Sequence, residues 1–339
     1  MMKEQLNSLR RFEPTDAAAV IQLLNAGGQP YGLKRAVVAG AGQVRLNRYV
    51  PPSSQKVVAV DQQNHVVGYA YLADREQRIV YETGGGVQPA YQGLGIGDRM
   101  IAWAEAGAQR LSEGAPAGVK TVLQTNLFEF ETAAQALFTS HGFTRVREWL
   151  HLAIELGQEP AQLALPAGLR LRALDLENDW ELLGPAMDEA YADHWGTITE
   201  SFPETENDDE AAGDEAFVED ESYSNAPGYC FVVVDERTGA AAGGILCNGR
   251  LVERADTGRI GSVFVRPAYR RSGVGRALML AAFQAFWQNG SRRLILDTDA
   301  DSFTVAPRFY TSLGMQPYRR EYLYEKEIRP GREVRRLAL

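Results

Sequence analysis

The sequence predicts an α/β chain made of two tandem copies of one unit, each a mixed, mostly antiparallel sheet flanked by helices. Three observations carry this. Val87-Gln88-Pro89-Ala90-Tyr91-Gln92-Gly93-Leu94-Gly95-Ile96-Gly97 returns as Val265-Arg266-Pro267-Ala268-Tyr269-Arg270-Arg271-Ser272-Gly273-Val274-Gly275, and two chance matches to V-x-P-A-Y-[QR]-x-x-G-[IV]-G are improbable. The patterns around the two copies agree, with strand-like runs preceding helical ones. The length of 339 residues suits two domains, and the 45% apolar and 23% charged shares are those of a globular chain.

Each element follows in order. Leu9–Glu13 then Asp16–Asn25 reads as strand then helix, and so does Leu169–Leu174 then Leu176–Ala190. Val57–Asp61 with Val66–Ala73, and Phe231–Asp235 with Ala241–Asn248, read as hairpins around turn residues. Strand-like Arg78–Val87 and Arg259–Val265 lead into the repeated motif, and helical Met100–Leu111 and Ala277–Gln288 lead out of it. A β-rich run follows in each copy, Val119–Thr125 or Arg293–Thr298. Then comes a short helix closed by Gly142-Phe143 or Gly314-Met315, the glycines sitting where a helix end wants positive φ. Pro307 fits only the first turn of its helix, which puts the start near Thr304. Gly157–Gly168, with Pro160 and Pro166, reads as a linker. The expected domains are therefore 1–156 and 169–328, with linker 157–168 and a peripheral tail 329–339.

Several classes are excluded. No apolar run approaches the ~18 residues a membrane helix needs. Met1–Asn7 has no apolar stretch behind Lys3, so no signal peptide is expected. Cys230 and Cys247 make no disulfide framework, and the four histidines are scattered, so no metal site is expected and the chain reads as cytoplasmic. The net charge of −9 is local: ten acids and no Lys or Arg lie between Glu204 and Glu221, leaving 35 basic and 34 acidic residues elsewhere. No basic stripe for nucleic acid exists. The acidic run reads as a solvated surface dispensable for folding, or as a field that draws a cationic acceptor.

The chemistry lies in the repeated turn. A strand ends, Pro-Ala-Tyr follows, and glycines open a helix whose free N–H groups and positive dipole end form an anion site. The pattern is neither the dinucleotide fingerprint nor the P-loop. The C-terminal copy adds Arg266, Arg270, Arg271 and Arg276, whose forked donors suit phosphate. The N-terminal copy has no cation from Val87 to Gly97 and puts Asp98 where Arg276 stands, where it can satisfy the helix start itself. Gly84-Gly85-Gly86 is poor strand material, read either as close approach by a ligand or as a bulge.

The segment V-x-P-A-Y-R-R-S-G-V-G-R-A-L resembles the acetyl-CoA motif of the GNAT superfamily of N-acetyltransferases, and with its second copy the resemblance covers nearly the whole chain. It implies two tandem GNAT-like domains whose central strands splay, with pantetheine of acetyl-CoA in the split. By resemblance the contacts fall on Val263, Phe264 and Val265 and on Arg270, Arg271, Ser272, Gly273, Val274, Gly275 and Arg276. The weaker set is Gly85, Gly86, Val87, Gln92, Gly93, Gly95 and Gly97. The family's proton donor to the departing thiolate, a Tyr four residues before the Gly-apolar pair, is Tyr310 here, whereas the N-terminal copy has Phe138. The C-terminal copy is thus expected to be catalytic and the other degenerate. The family often has an Asn seven residues before that Tyr, where Phe303 stands, and one tandem member carries a basic Glu where Arg259 stands. The base is therefore open among Asp193, His194, Asp256 and a water. Asp193, His194, Trp195 and Arg259 are the candidates for binding a small-molecule or peptide amine. A non-catalytic acyl-CoA-binding or scaffold protein is the alternative, which Tyr310 and the arginines oppose.

Overall fold

The computed structural model describes residues 8–28, 36–39, 43–46, 54–161, 165–202, 226–251 and 254–338. The acidic run falls outside them.

In chain order the elements are β1 (Leu9–Arg11), α1 (Ala17–Gly28), β2 (Ala36–Ala39), β3 (Gln43–Leu46), β4 (Gln55–Val60), β5 (Val66–Glu76), β6 (Val80–Val87), α2 (Ile96–Ser112), β7 (Thr121–Phe128), α3 (Thr132–Ser140) and β8 (Thr144–Glu155). They continue with β9 (Leu169–Ala173), α4 (Trp180–Tyr191), β10 (Phe231–Asp235), β11 (Ala241–Leu251), β12 (Arg254–Val265), α5 (Val274–Gln288), β13 (Arg293–Asp299), α6 (Ala306–Ser312) and β14 (Gln316–Arg329). The expected hairpins are β4–β5 and β10–β11, both antiparallel. The small antiparallel pair β2–β3 is an addition to the expected set.

The chain forms two compact units that are not two continuous stretches. The first runs to Val146 and takes in Tyr322–Val334, and its strand order is β1-β4-β5-β6-β7 with the second half of β14 beside β7. The second holds Arg147–Ser201 and continues to Glu321, with the order β9-β10-β11-β12-β13 and then β8. Thus β8 pairs antiparallel with β13, from Arg293↔Glu155 to Asp299↔Trp149. The expected boundaries 1–156 and 169–328 differ from the units at these two strands. Alternating side chains specify which face a strand buries, not which strand it joins.

Two further expectations need correction. Residues 176–179 form a turn, and α4 starts only at Trp180, because Asp179 is drawn back to Arg172 (2.6 and 2.7 Å) and to the amide of Asp175 (2.8 Å). In the first unit Arg10 and Asp16 repeat this pair (2.7 and 2.8 Å). The tail is not peripheral. Arg332 exchanges backbone bonds with Gly118 and Lys120, Arg336 does so with Gly196 and Thr197, and Val334 is 2% exposed.

Candidate active site

The splay is visible in both units. β12 and β13 pair in parallel only over Thr257–Arg259 and Arg293–Ile295, then separate while β12 runs on to Val265 and β13 to Asp299. β6 and β7 pair only over Val80–Glu82 and Val122–Gln124, then separate likewise. The gap leaves backbone groups on one edge of β12 and β6 open to a ligand. Which groups face it follows from alternation. The amide of Arg266 donates to Ala242 (3.0 Å), so Phe264 also faces β11, while Val263 and Val265 turn their N–H and C=O groups to the gap. In the first unit Gln88 donates to Val67 (2.9 Å), which turns Gly86 to β5 and Gly85 and Val87 to the gap. The backbones of Phe264 and Gly86 are therefore not gap contacts.

The two edges differ. Leu246 opposes Ser262 but Cys247 opposes Ile260, so Gly261 is an extra residue and β12 bulges there. Gly84–Gly86 instead pair in register with Tyr71, Ala70 and Tyr69. A Cβ at Gly84 would sit 2.9 Å from the Tyr71 ring, and one at Gly85 2.0 Å from the Tyr69 carbonyl oxygen. The three glycines answer different neighbours, the Tyr71 ring at Gly84, the backbone of Tyr69 at Gly85 and Leu23 and Leu24 of α1 at Gly86, and the strand has no bulge at them.

Both turns share a backbone. Gly95 (φ +79°) and Gly273 (φ +94°) head α2 and α5 in the left-handed region, and no side chain at that position caps either helix. First-turn N–H groups therefore point into the turn, the arrangement that suits phosphate. Arg271 (φ +65°) and Gly93 (φ +75°) take the same conformation two residues earlier. The Ser272 hydroxyl donates to the Tyr269 carbonyl (2.6 Å). The repeated tyrosines hold each turn to a hairpin, with Tyr91 donating to Asp61 (3.2 Å) and Tyr269 to Asp235 (2.8 Å). That explains the Tyr of Pro-Ala-Tyr, which the sequence could show only as a repeat.

The side chains diverge. Arg266 binds Glu189 (2.6 Å), and Arg270 binds Asp193 through both ends of its guanidinium. Arg271 and Arg276 are exposed and make no salt bridge among the described residues. In the first unit Asp98 lies 3.5 Å from His141. A Cβ at Gly97 would meet Leu137 at 2.6 Å, so that glycine serves helix packing.

Tyr310 lies on α6, 9% exposed in the core of the second unit. Burial pushes its phenol up, and the nearby Tyr191 hydroxyl adds to this, so it stays protonated. Val305, in the left-handed region, precedes the helix, which starts at Ala306, two residues later than expected, with Pro307 in its first turn as expected. Phe138 occupies the matching place on α3, edge-on to Phe143 at 5.0 Å in an apolar cluster. Sequence reasoning missed Tyr191, whose hydroxyl bonds Ser262, the residue after the bulge.

A charged row crosses the second unit beside the gap. Arg259 binds Asp297, Asp297 is 2.5 Å from His151, and His151 is 3.3 Å from Glu321. Burial alone would lower the imidazole pKa, but the two carboxylates outweigh it and push His151 up to about 9. Burial would raise Asp297, yet Arg259 and His151 hold it at about 2. This row could not be read from sequence, because β8 lies in the N-terminal half of the chain. Beyond it Arg147 binds Asp299 (2.7 Å) and lies 5.3 Å from the Trp195 ring and 5.4 Å from that of Phe303. His194 packs edge-on against Tyr191 at 4.9 Å, with Nδ1 3.3 Å from Asp193. Burial raises Asp193, but Arg270 more than offsets it and holds the carboxylate below its usual range. Asp193 is thus a poor base. Asp256 lies at the closed end of the strand pair, next to Thr257, before the gap opens, so it is not at the site.

A parallel strand pair that opens after three residues, with a glycine-headed helix at its mouth, defines an acyltransferase of the GNAT type. Models of the GNAT acetyltransferase family match residues 187–315 and 52–145, and the chain belongs to the GNAT superfamily as a tandem member. Among curated proteins it is 25% identical over 319 residues to the mycothiol acetyltransferase of Thermobispora bispora, covering 93% of this chain and 98% of that one. Over 202 residues it is 29% identical to that of Renibacterium salmoninarum, covering 57% and 54% of the two chains. Among solved structures it is similar to a GCN5-related N-acetyltransferase from Sphaerobacter thermophilus (27% identity, 96% and 97% covered, TM-score 0.72). A tandem GNAT protein of the clavulanic acid pathway shares the fold (16% identity, 96% and 99% covered, TM-score 0.69). No group of three metal-ligating side chains occurs among the described residues, and no helix among them is long and apolar enough to cross a membrane.

Proposed function

We propose that the protein is an acetyl-CoA-dependent N-acetyltransferase whose C-terminal unit carries the reaction. The observation that supports this best is the conjunction, in that unit alone, of a bulged open strand edge, a glycine-headed helix with free cations, and Tyr310. The residues fit acetyl-CoA: Val263 offers its N–H and C=O and Val265 its N–H to the pantetheine, the Val265 carbonyl being taken by Arg270 Nε, and the N–H groups from Gly273 to Arg276, with Arg271, face the pyrophosphate. Acetyl-CoA supplies the acetyl group as a thioester. The free amine attacks the thioester carbonyl carbon, the C–N bond forming as the C–S bond breaks; Tyr310 gives its proton to the departing thiolate sulfur and is reprotonated by the proton the new amide nitrogen loses. The acceptor ammonium loses its proton to His194 or to a water on the strand. The N-terminal unit, with Phe138 and Asp98, keeps the fold without the donor.

The acceptor is a small amine, and mycothiol acetyltransferase activity is the first to assay, given the curated relatives. The test is release of CoA thiol across a panel of primary amines, run beside native mass spectrometry with acetyl-CoA. Turnover that stops in Tyr310→Phe supports the reading. Binding of CoA without turnover of any amine would instead favour a non-catalytic acyl-CoA-binding protein.

A further inference from the structure

The first residue of the repeated [QR]-x-x-G-x-G pattern does the same thing in both units. Gln92 Nε2 donates to the Val87 carbonyl (3.4 Å), and Arg270 Nε donates to the Val265 carbonyl (3.2 Å), each five residues back on the strand that enters the turn. Gln and Arg share only an N–H donor at this reach, and that donor ties the turn to the strand end. Arg270 then has both terminal nitrogens left. They bind the two oxygens of Asp193 and the carbonyl of Ala190 (3.0 Å), at the end of α4. Every arm of this guanidinium points into the protein, and its charge is matched by a carboxylate. Asp193 begins the loop whose His194 packs on Tyr191 and whose Trp195 faces Arg147. Arg266 makes a parallel tie to Glu189 on the same helix.

We propose that Arg270 is a positioning residue that clamps the acceptor-side loop 193–195 to the cofactor turn, and that Arg271 and Arg276 are the side chains that meet the phosphates of acetyl-CoA. A bidentate ion pair with two further backbone bonds fixes orientation as well as distance. The four arginines thus divide into two inward ties and two outward contacts. The clamp sets the wall against which the amine docks, so its loss shows in the acceptor term rather than in cofactor affinity.

This inference rests on the acetyl-CoA reading above, and the experiment separates the two. Calorimetric titration with CoA is run on the wild type, Arg270→Gln, Asp193→Asn, Arg271→Gln and Arg276→Gln, followed by kinetics with the best amine of the thiol-release panel. Arg270→Gln installs the residue the N-terminal copy already uses, which can still brace the Val265 carbonyl. The expected result is a CoA Kd within ~2-fold of wild type for Arg270→Gln and Asp193→Asn, but raised ~5-fold or more for Arg271→Gln and Arg276→Gln. The KM for the amine should rise ~5-fold or more in the first pair with kcat little changed, and the double variant should be no worse than either single one, since both remove one contact. Restoring carboxylate reach with Asp193→Glu should recover part of the KM. A CoA Kd weakened as much by Arg270→Gln as by Arg271→Gln overturns the division of the arginines. Additive KM effects overturn the clamp. Failure of the wild type to bind CoA removes the acetyl-CoA reading itself.

Discussion

The two units share one backbone plan and differ in the side chains set on it. Each has strands that part after three paired residues, a left-handed glycine at a helix start, and a tyrosine tying the turn to a hairpin carboxylate. The second adds the bulge at Gly261, exposed Arg271 and Arg276, and Tyr310, whereas the first has regular glycines, Asp98 and Phe138. Shared backbone geometry preserves a fold. In the function proposed above, a few side chains at its open edge separate the unit that carries the reaction from the one that does not.

Tyr310→Phe should break the comparison most sharply, because it gives the second unit the residue the first already has at Phe138. In the proposed donor role the hydroxyl acts mainly in the transition state, so kcat should fall ~10²-fold or more while CoA binding barely moves. Stopped-flow and equilibrium titration check the two halves of that statement. Full activity in the variant would falsify the donor role.

The charged row offers a pH test in the second unit. His151 has a folded pKa of about 9, above the ordinary value of 6.5. The stability it contributes is therefore complete below about pH 6.5 and is lost as pH rises through about 9. His151→Gln should cost on the order of 2 kcal/mol near pH 6 and flatten the decline between pH 6.5 and 9. Denaturant melts at four pH values decide it, and a variant whose decline matches the wild type removes His151 as its source.

Gly273→Glu should weaken CoA binding ~10-fold or more, because it strains a left-handed position and sets a carboxylate at the helix start. Gly95→Glu, with the same strain in the other unit, should change CoA affinity little. Equal losses by calorimetry would mean that both turns hold the cofactor.

Phe138→Tyr asks whether the donor alone restores chemistry. The added hydroxyl enters an apolar cluster and should cost ~1–3 kcal/mol unless it finds a partner. Activity in a Tyr310→Phe background should not return, since the turn of that unit lacks the arginines. Regained turnover would show that the first unit needs only the hydroxyl.

Much of this was legible in one dimension. The 178-residue offset of the motif, the Gly-apolar pairs after the short helices and the Phe138/Tyr310 contrast mark two copies of one unit and their inequality. Local rules sufficed because the glycines answer backbone demands and the strand and helix patterns answer burial, both set by near neighbours. Tertiary structure alone decided that β8 joins β13 and that Tyr322–Arg329 joins β7, because alternation does not name a partner strand. That pairing brings His151 to Asp297 across 146 residues of sequence. It also fell to the fold to turn Arg266 and Arg270 inward: a guanidinium goes to whichever carboxylate the packed helix presents, and only folding brings Glu189 and Asp193 within its reach.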